Sequence, residues 1–345
     1  MDFAFSEEQE QLRKWAGQFL AERYDAARLV EIADSERGYD PDVWPRLAEM
    51  GWLDDELTFL DHAVLFEETG TALLPAPYLT TVALAGPALR AAGEDLSRPA
   101  TLAWAEPGVP QGLLDVDGLT VHASDRRIEG RKVLVPDAGA ADLFVVVASG
   151  PAGPGLYAVD AGASIQARET LDGTRRLADV RFDNAPARVL VEGERAREVV
   201  AETRRWAFAA LACEAVGVAG RVLDMAVEHA RTREQFGRPI GVHQAVSHRL
   251  SDTYMALQGA RSLAYWAAWC VTEGDPRAEQ ACLAAKALAG DAAVAACESA
   301  IQVHGGIGMT WEHPLHRYYR RAQWIAAFDG ASRTQRAEVA AALLD

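Results

Sequence analysis

Three segments in the second half of the chain constrain its fold most, because each has the composition of one uninterrupted helix of more than 25 residues. They run from Glu194 to about Arg231, from His243 to Thr272 and from Pro276 to Val303. Alanine is abundant in all three, so their axes can approach closely. Helices of this length are typical of a helical bundle rather than of helices layered on a parallel sheet.

Two regions of different character precede these segments. Residues 1–98 have the pattern of shorter helices, starting at Ser6 as an N-cap and interrupted at Gly70 and at Pro75 and Pro77. Residues 99–192 contain short β-like runs separated by Gly, Pro and Asp, which indicates a small antiparallel β domain. We therefore predict an α+β fold with an N-terminal helical domain, a middle β domain and a C-terminal four-helix-type domain (193–345).

Composition and missing motifs exclude several classes of function. The formal net charge of -16 argues against a nucleic-acid-binding protein. A GxGxxG motif after a strand and a GxxxxGK[ST] motif are both missing, which argues against Rossmann and P-loop folds. The cysteines have no metal-site spacing, so we predict no metal site and interpret these residues as reduced core thiols: Cys213, Cys270, Cys282 and Cys297.

The N-terminal residues have neither a basic region nor an apolar region of the kind found in signal peptides. The sequence also contains no uninterrupted apolar run of the roughly 18 residues that a membrane span needs. We therefore predict a cytoplasmic protein without a membrane partner.

Two glycine-containing motifs lie at the ends of the long helices. In QVHGGIG, Gly305 and Gly306 permit close approach of another backbone or a ligand, although the motif alone is equally well explained as a helix end. His304 is interpreted as a packing or interface residue. In REQFG, the guanidinium of Arg233 and the ring of Phe236 suit a pyrophosphate beside an apolar group. Alone, this motif is better explained as a solvated turn with Phe236 in the core.

The order of these pieces decides between the alternatives. An α–β–α chain with REQFGRPIGVHQ, then QVHGGIGMTWEHPLHRYYRRA and then AFDGASRTQR resembles the acyl-CoA dehydrogenase family over essentially its whole length. The resemblance implies a tetramer built on the C-terminal bundle, which binds FAD and oxidises an acyl-CoA to the 2,3-enoyl-CoA. It also implies that a carboxylate removes the α-proton while the β-hydride passes to the flavin, with electron-transfer flavoprotein as the usual electron acceptor.

The resemblance extends to individual site positions. Six residues match the family's FAD contacts, most of them contacts to the cofactor of a neighbouring subunit: Arg233, Phe236, Gln244, Gln302, Gly305 and Gly306. Asp329 stands where many members carry the glutamate base. Because Asp is one methylene shorter than Glu, a base displaced by about 1 Å could lose on the order of a hundredfold in rate.

Positions that the family uses on its own flavin ring are different in this chain. Ala105 replaces a hydroxyl residue before the retained Glu106, and the strand that normally carries a Trp reads KVLVPDAG without an aromatic residue. An alternative base position in the first long helix falls close to Ala207 and Phe208, neither of which can accept a proton.

Residues that contact a neighbour's FAD are thus retained, whereas those around the chain's own flavin ring are replaced. We predict a subunit of a heterotetrameric, FAD-dependent acyl-CoA dehydrogenase, in which a homologous full-length partner holds the flavin ring and the working base. The chain resembles the shorter subunit of actinobacterial heterotetrameric steroid side-chain acyl-CoA dehydrogenases, which implies lipid or steroid degradation. The alternatives are a self-sufficient homotetramer that uses Asp329 and a non-catalytic structural paralogue.

Overall fold

The computed structural model describes residues 5–108 and 112–344. Within these residues there are ten α-helices: α1 Glu7–Arg23, α2 Ala26–Asp34, α3 Val43–Glu49, α4 Phe59–Ala72, α5 Gly86–Ala91, α6 Glu194–Thr232, α7 Gln244–Glu273, α8 Ala278–His304, α9 Leu315–Ala327 and α10 Ser332–Leu344. A π-helical segment, Thr80–Ala85, precedes α5, and short 3-10 segments cover Ile240–Val242 and Gly305–Met309.

The strands lie mainly between residues 100 and 192, where the sequence predicts a β domain. They are β1 Ala100–Ala103, β2 His122–Ser124, β3 Arg127–Pro136, β4 Leu143–Gly150, β5 Gly153–Val159, β6 Ala163–Ala167, β7 Leu177–Pro186, β8 Arg188–Glu192, β9 Glu234–Gln235 and β10 Arg238–Pro239. The first eight form one sheet in the order β6-β7-β3-β2-β4-β5-β8, with β1 also paired to β4. The sheet is antiparallel, as predicted, except that β4 pairs in parallel with β1 and with β2.

The chain divides into two compact units. One comprises Met1–Arg28, Thr58–Leu74 and Phe208–Asp345, and the other comprises Leu29–Leu57 and Pro75–Ala207. The first unit contains most of the long helices, and the second contains the sheet. The finer division into three domains (1–98, 99–192 and 193–345) stays a prediction.

The three longest helices, α6, α7 and α8, contain 39, 30 and 27 residues. Their ends lie within two residues of the predicted ends. Two stretches, Glu194–Thr232 and Ala278–Met309, are long and apolar enough to cross a membrane, but 83% and 61% of their apolar windows are buried inside the structure. They are therefore explained as core helices of the bundle, which also contains the four free, buried cysteines that the sequence predicts.

A glycine contact sets the crossing of α4 and α6. A methyl group added to Gly70 would overlap the backbone of Glu214, and one added to Gly217 would overlap the carbonyl group of Glu67. The two helices therefore touch backbone to backbone. The predicted helix break at Gly70 is wrong, because α4 continues to Ala72 and ends at Leu73 in a left-handed conformation.

A buried polar cluster connects α1, α4 and α7. Glu67 accepts hydrogen bonds from Tyr265 at 2.6 Å, from Arg261 at 2.7 Å and from Arg13 at 3.4 Å. The neighbouring Glu68 lies 3.9 Å from Arg13, and its side chain is 16% exposed. Burial, followed by the nearby carboxylate of Glu67, raises the pKa of Glu68 to about 7.

The raised pKa of Glu68 predicts a pH-dependent stability. Between pH 4.5 and 7 the folded chain binds the proton of Glu68 more tightly than the unfolded chain does, so the free energy of unfolding falls as pH rises through this window. We expect Glu68→Gln to raise the free energy of unfolding at pH 8 by on the order of 2 kcal/mol and to change it little at pH 4.5. Denaturant titrations at both pH values measure this difference. Glu8→Gln, on the exposed face of α1, is the control, and an equal gain at both pH values would contradict the assignment.

Candidate cofactor-binding site

The REQFG motif forms a tight hairpin that projects from the end of α6. Strands β9 and β10 pair antiparallel, and the two turn residues, Phe236 and Gly237, have φ angles of 56° and 74°. Positive φ at both positions is characteristic of a type I′ turn, in which Asn-Gly is the usual pair. The hairpin is closed by the Ile240 amide, which donates to the Arg233 carbonyl at 2.8 Å.

Phe236 is 91% exposed, and among the described residues its ring pairs edge-on with that of His243, with ring centroids 6.2 Å apart. The alternative that placed Phe236 in the core is therefore wrong. A left-handed conformation costs a bulky residue about 1–2 kcal/mol, and exposure of the ring adds no compensating burial. The chain itself gains nothing from phenylalanine here, so the residue suits a contact outside the chain.

The HGGIG motif presents bare backbone on the surface. Gly305 has a φ of 65°, which favours glycine. The φ of Gly306 is not in the positive range, and a methyl group added to either glycine would meet nothing within 4 Å. Gly308 differs, because an added methyl group would lie 3.0 Å from the Ile301 carbonyl oxygen. Thus Gly308 is required by packing within the chain, whereas nothing within the described residues requires glycine at 306.

The structure brings these two motifs together through histidine rings. His304, the last residue of α8, stacks on His229 of α6 with ring centroids 4.3 Å apart. His304 is buried and therefore packs, as predicted. The Arg233 amide donates to the His229 carbonyl at 2.9 Å, and Gly305 directly follows His304. The hairpin and the glycine turn are consequently neighbours, although about seventy residues separate them in sequence.

The two predicted glutamine contacts are both exposed. Gln244 is the first residue of α7, directly after the N-cap His243. Gln302 lies on the last turn of α8, three residues before Gly305. Both side chains are therefore available for an external ligand, together with the exposed Arg233.

Asp329 lies in a separate, firmly held turn. It has a φ of 49°, and the next residue, Gly330, has a φ of 96°. The buried ammonium group of Lys286 donates to the carbonyl oxygens of Ala326 at 3.0 Å and Gly330 at 2.7 Å. The side-chain amide of Gln335 donates to the carbonyl oxygens of Asp329 at 3.1 Å and Gly330 at 3.0 Å. The turn that carries the candidate base is thus fixed by four hydrogen bonds from two side chains.

Sequence reasoning missed Lys286 and Gln335. The sequence contained a signal for Lys286, because it is the single Lys or Arg within α8, a helix that is otherwise rich in alanine. Its ammonium group also lies 5.7 Å from the ring centroid of Phe208, so the alternative base position is filled by an aromatic ring over a buried cation. Lys286 and His304 lie roughly five turns apart on α8, or about 27 Å, so Asp329 and the glycine turn serve different places.

The replaced flavin-ring positions also lie together. The Val133 amide donates to the Ala105 carbonyl oxygen at 2.9 Å, which joins the segment before Glu106 to β3. The pairing of β3 with β7 shifts between Lys132 and Val135. The bulge leaves Leu134 with a φ of 54° and 46% exposure. Where the family resemblance implies an aromatic and a hydroxyl group, this surface offers leucine and alanine.

Glu106, retained from the family pattern, has a structural role in this chain. It accepts hydrogen bonds from the Lys132 ammonium group at 2.8 Å, from the amide and hydroxyl of Thr120 at 2.6 Å and from the Val121 amide at 3.0 Å. Burial lowers the pKa of Lys132 to about 8 even though Glu106 opposes the shift. Burial alone would raise the pKa of Glu106, but hydrogen bonds from Lys132 and Thr120 bring it below its ordinary value.

The exposed groups of the hairpin and the glycine turn can be compared with the chemistry that FAD requires. An exposed guanidinium beside an exposed aromatic ring, next to bare glycine backbone, suits a pyrophosphate and its adjoining groups. The residues at the hairpin and the glycine turn therefore fit the outer part of the cofactor. Across the residues that the structure describes, no group of three or more His, Cys, Asp or Glu side chains could hold a metal ion.

Comparison with known proteins gives the family. Residues 197–344 match the family described as "Acyl-CoA dehydrogenase, C-terminal domain". The chain is 33% identical over 336 residues to acyl-CoA dehydrogenase IpdE2 of Mycobacterium tuberculosis, covering 93% of this chain and 92% of that protein. The chain belongs to the acyl-CoA dehydrogenase family. The predicted enzyme class, the α+β fold and FAD as the cofactor are confirmed with it.

Two solved structures are similar along the whole chain of this acyl-CoA dehydrogenase. A variant of the Tcur3481-Tcur3483 steroid ACAD has a TM-score of 0.86 at 30% identity and covers 98% of each chain. The ChsE4-ChsE5 complex from Mycobacterium tuberculosis has a TM-score of 0.88 at 26% identity and covers 100% of this chain and 99% of that one. Each is named as a pair of different chains.

Proposed function

We propose that the chain is one subunit of an FAD-dependent acyl-CoA dehydrogenase that assembles with a homologous full-length partner and supplies part of the partner's FAD site. The observation that carries the proposal is Gly306, whose glycine is required by neither its backbone conformation nor its own chain's packing. The exposed, left-handed Phe236 supports the proposal in the same way. A contact with something outside the chain would explain why position 306 is a glycine and position 236 an exposed phenylalanine.

The replaced residues around the chain's own flavin-ring surface support a division of labour between two subunits. Leu134 and Ala105 offer neither an aromatic ring nor a hydroxyl group. The two solved relatives are named as pairs of different chains, one of them as a steroid ACAD. On this basis we propose a heterotetramer acting on a steroid-derived or other lipid acyl-CoA, with the chain located in the cytoplasm.

We assign to this chain the binding and orientation of FAD. When bound, FAD accepts the hydride from the β-carbon of the acyl group. The guanidinium of Arg233 would neutralise pyrophosphate charge, with Phe236 against an adjoining apolar surface and Gln244 and Gln302 as donors at the edges. Gly305 and Gly306 would allow the backbone to approach the cofactor without obstruction.

A second candidate function has one observation in its favour. The turn at Asp329 is held by Lys286 and Gln335, which is the firm positioning that a catalytic base needs. A self-sufficient homotetramer would use Asp329 to remove the α-proton. Its carboxylate would have to reach the substrate despite being one methylene shorter than glutamate.

A visible absorption spectrum distinguishes the candidates. The chain is purified alone and after co-expression with the full-length homologue encoded nearest to it. Flavin that is retained only in the co-purified assembly supports the heteromer, whereas full flavin occupancy and turnover by the lone chain would refute it in favour of Asp329. Absence of flavin in both preparations would indicate a structural paralogue.

In the flavin-loaded assembly, Arg233→Ala is expected to weaken FAD binding about tenfold, because a charge-assisted hydrogen bond to phosphate is removed. The affinity is measured by fluorescence titration of the apo-assembly with FAD. Arg195→Ala, which alters an exposed arginine paired with Glu198, is the matched control and should leave the affinity unchanged. Equal affinities for Arg233→Ala and the control would argue against the proposed role.

A further inference from the structure

Three histidine rings lie together at the end of α8: those of His229 and His304 are stacked, and that of His313 is tilted by 55° to His304. The ring of His304 lies between those of His229 and His313, with centroids 4.3 Å and 4.5 Å away. Nδ1 of His304 lies 2.8 Å from the carbonyl oxygen of Ala300. Because a carbonyl only accepts, Nδ1 carries the hydrogen, and the ring orientation is fixed.

The stack connects the two segments to which the proposed FAD contacts belong. His229 lies one helical turn before Arg233 and accepts the Arg233 amide through its carbonyl oxygen at 2.9 Å. His304 directly precedes Gly305. Among the contacts of the described residues, the ring pair His229–His304 joins α6 to the end of α8 at this point. A change in the stack therefore changes the spacing between the hairpin and the glycine turn.

Burial disfavours a positive charge on His229 and His313. The three rings line an open cavity of about 610 Å³. The charged groups lining the same cavity come from α6: Arg221, Asp224, Glu228 and Arg231. Burial, then the charge of His304 and of Arg233, lowers the pKa of His229. Burial, then His304 and His229, lowers the pKa of His313.

The lowered pKa values of His229 and His313 make the stability of the chain depend on pH. A histidine whose pKa is lower in the folded state binds fewer protons there than in the unfolded state. The contribution of His229 and His313 to stability is therefore complete above the ordinary histidine pKa of 6.5 and is lost as pH falls below that value. Adjacent imidazolium rings would also repel one another at contact distance.

We propose that His229 and His304 are positioning residues, whose stacked rings hold the Arg233 hairpin and the Gly305–Gly306 turn at the spacing that one FAD molecule requires. Protonation of His229 disturbs the stack, changes this spacing and weakens FAD binding. The inference rests on the proposed function, since it concerns the same FAD contacts. Neither His229 nor His304 is among the predicted FAD contacts, and we expect the assembly to release FAD at acidic pH.

The test compares two substitutions at one position in the flavin-loaded assembly. His229→Ala removes the ring and is expected to weaken FAD binding at pH 8 by about three- to tenfold, the size of one or two aromatic contacts. His229→Phe keeps a ring but cannot be protonated. It should retain FAD at pH 8 and also between about pH 6 and 5, where the unmodified assembly loses it.

FAD retention is measured by filtration and absorbance across pH, with subunit assembly followed by mass measurement on the same samples. His122→Ala, an exposed histidine of β2, is the control and should follow the unmodified assembly. If His229→Ala binds FAD normally while Arg233→Ala does not, the positioning role is refuted and the proposed function stands. If both bind normally, the proposed function fails as well. An acid release that is unchanged in His229→Phe refutes the role of protonation.

Discussion

Gly306→Val is expected to leave the fold of the chain intact and to weaken FAD binding by the assembly about 30- to 100-fold, the effect of about 2–3 kcal/mol of steric overlap. The fold should tolerate the change because an added Cβ meets nothing within 4 Å and the backbone conformation suits ordinary residues. The cofactor should not, because valine places two methyl groups where the proposed pyrophosphate contact needs bare backbone.

Two measurements separate these effects. Thermal denaturation of the lone chain should give the same midpoint for Gly306→Val and the unmodified chain, and FAD titration should be performed only on samples whose assembly is intact by mass. Gly308→Ala is the matched control, because its added methyl group would press on Ile301 and His304 within the chain. It should lower the denaturation midpoint. Normal FAD affinity for Gly306→Val in an intact assembly would show that this glycine does not face the cofactor.

Gly217→Ala is expected to destabilise the chain by about 3 kcal/mol, at the upper end of measured overpacking effects. The added methyl group would overlap the carbonyl group of Glu67 and press on the Thr71 amide, both of which are backbone groups of α4. A helix backbone cannot move aside as a flexible side chain can. The crossing of α4 and α6 would have to open, and the Glu67 cluster with Arg13 and Tyr265 would be disturbed with it.

A glycine-to-alanine substitution at an exposed helical position provides the control for Gly217→Ala. Gly259 is exposed on α7, and a methyl group added there meets nothing within 4 Å. Gly259→Ala should therefore stabilise the chain by about 0.5–1 kcal/mol through helix propensity alone. Urea titration of both variants gives the comparison. A loss below about 1 kcal/mol for Gly217→Ala would mean that the helices can separate at low cost.

The sequence predicted the long helices well because they depend on local properties. Alanine-rich composition indicates where the helices run, and Gly305 marks the end of α8, without reference to the rest of the fold. Gly70 was misread for the complementary reason. Its glycine serves a contact with Glu214, more than a hundred residues away, and no local pattern reports such a contact.

The candidate site likewise has features that the sequence predicts and features that appear only in the folded chain. Family resemblance predicted Arg233, Phe236 and the paired glycines as FAD contacts, and this stays a prediction. It could not show that Phe236 is exposed in a left-handed turn, because that depends on how the hairpin meets α7. Nor could it predict that Lys286 holds the Asp329 turn, because Lys286 lies on α8 and the turn follows α9, so the two meet only in the folded chain.

The closed hairpin that carries Phe236 affects how fast the proposed assembly would exchange its cofactor. Its backbone is held by the Arg233–His229 and Ile240–Arg233 hydrogen bonds, so it needs no cofactor to keep its shape. In the proposed assembly, an FAD molecule held between this hairpin and another subunit would leave when the subunits part, because the hairpin keeps its own hydrogen bonds and need not unfold. Flavin loss would then follow subunit dissociation, and dilution would accelerate it without any change in the affinity of the intact site.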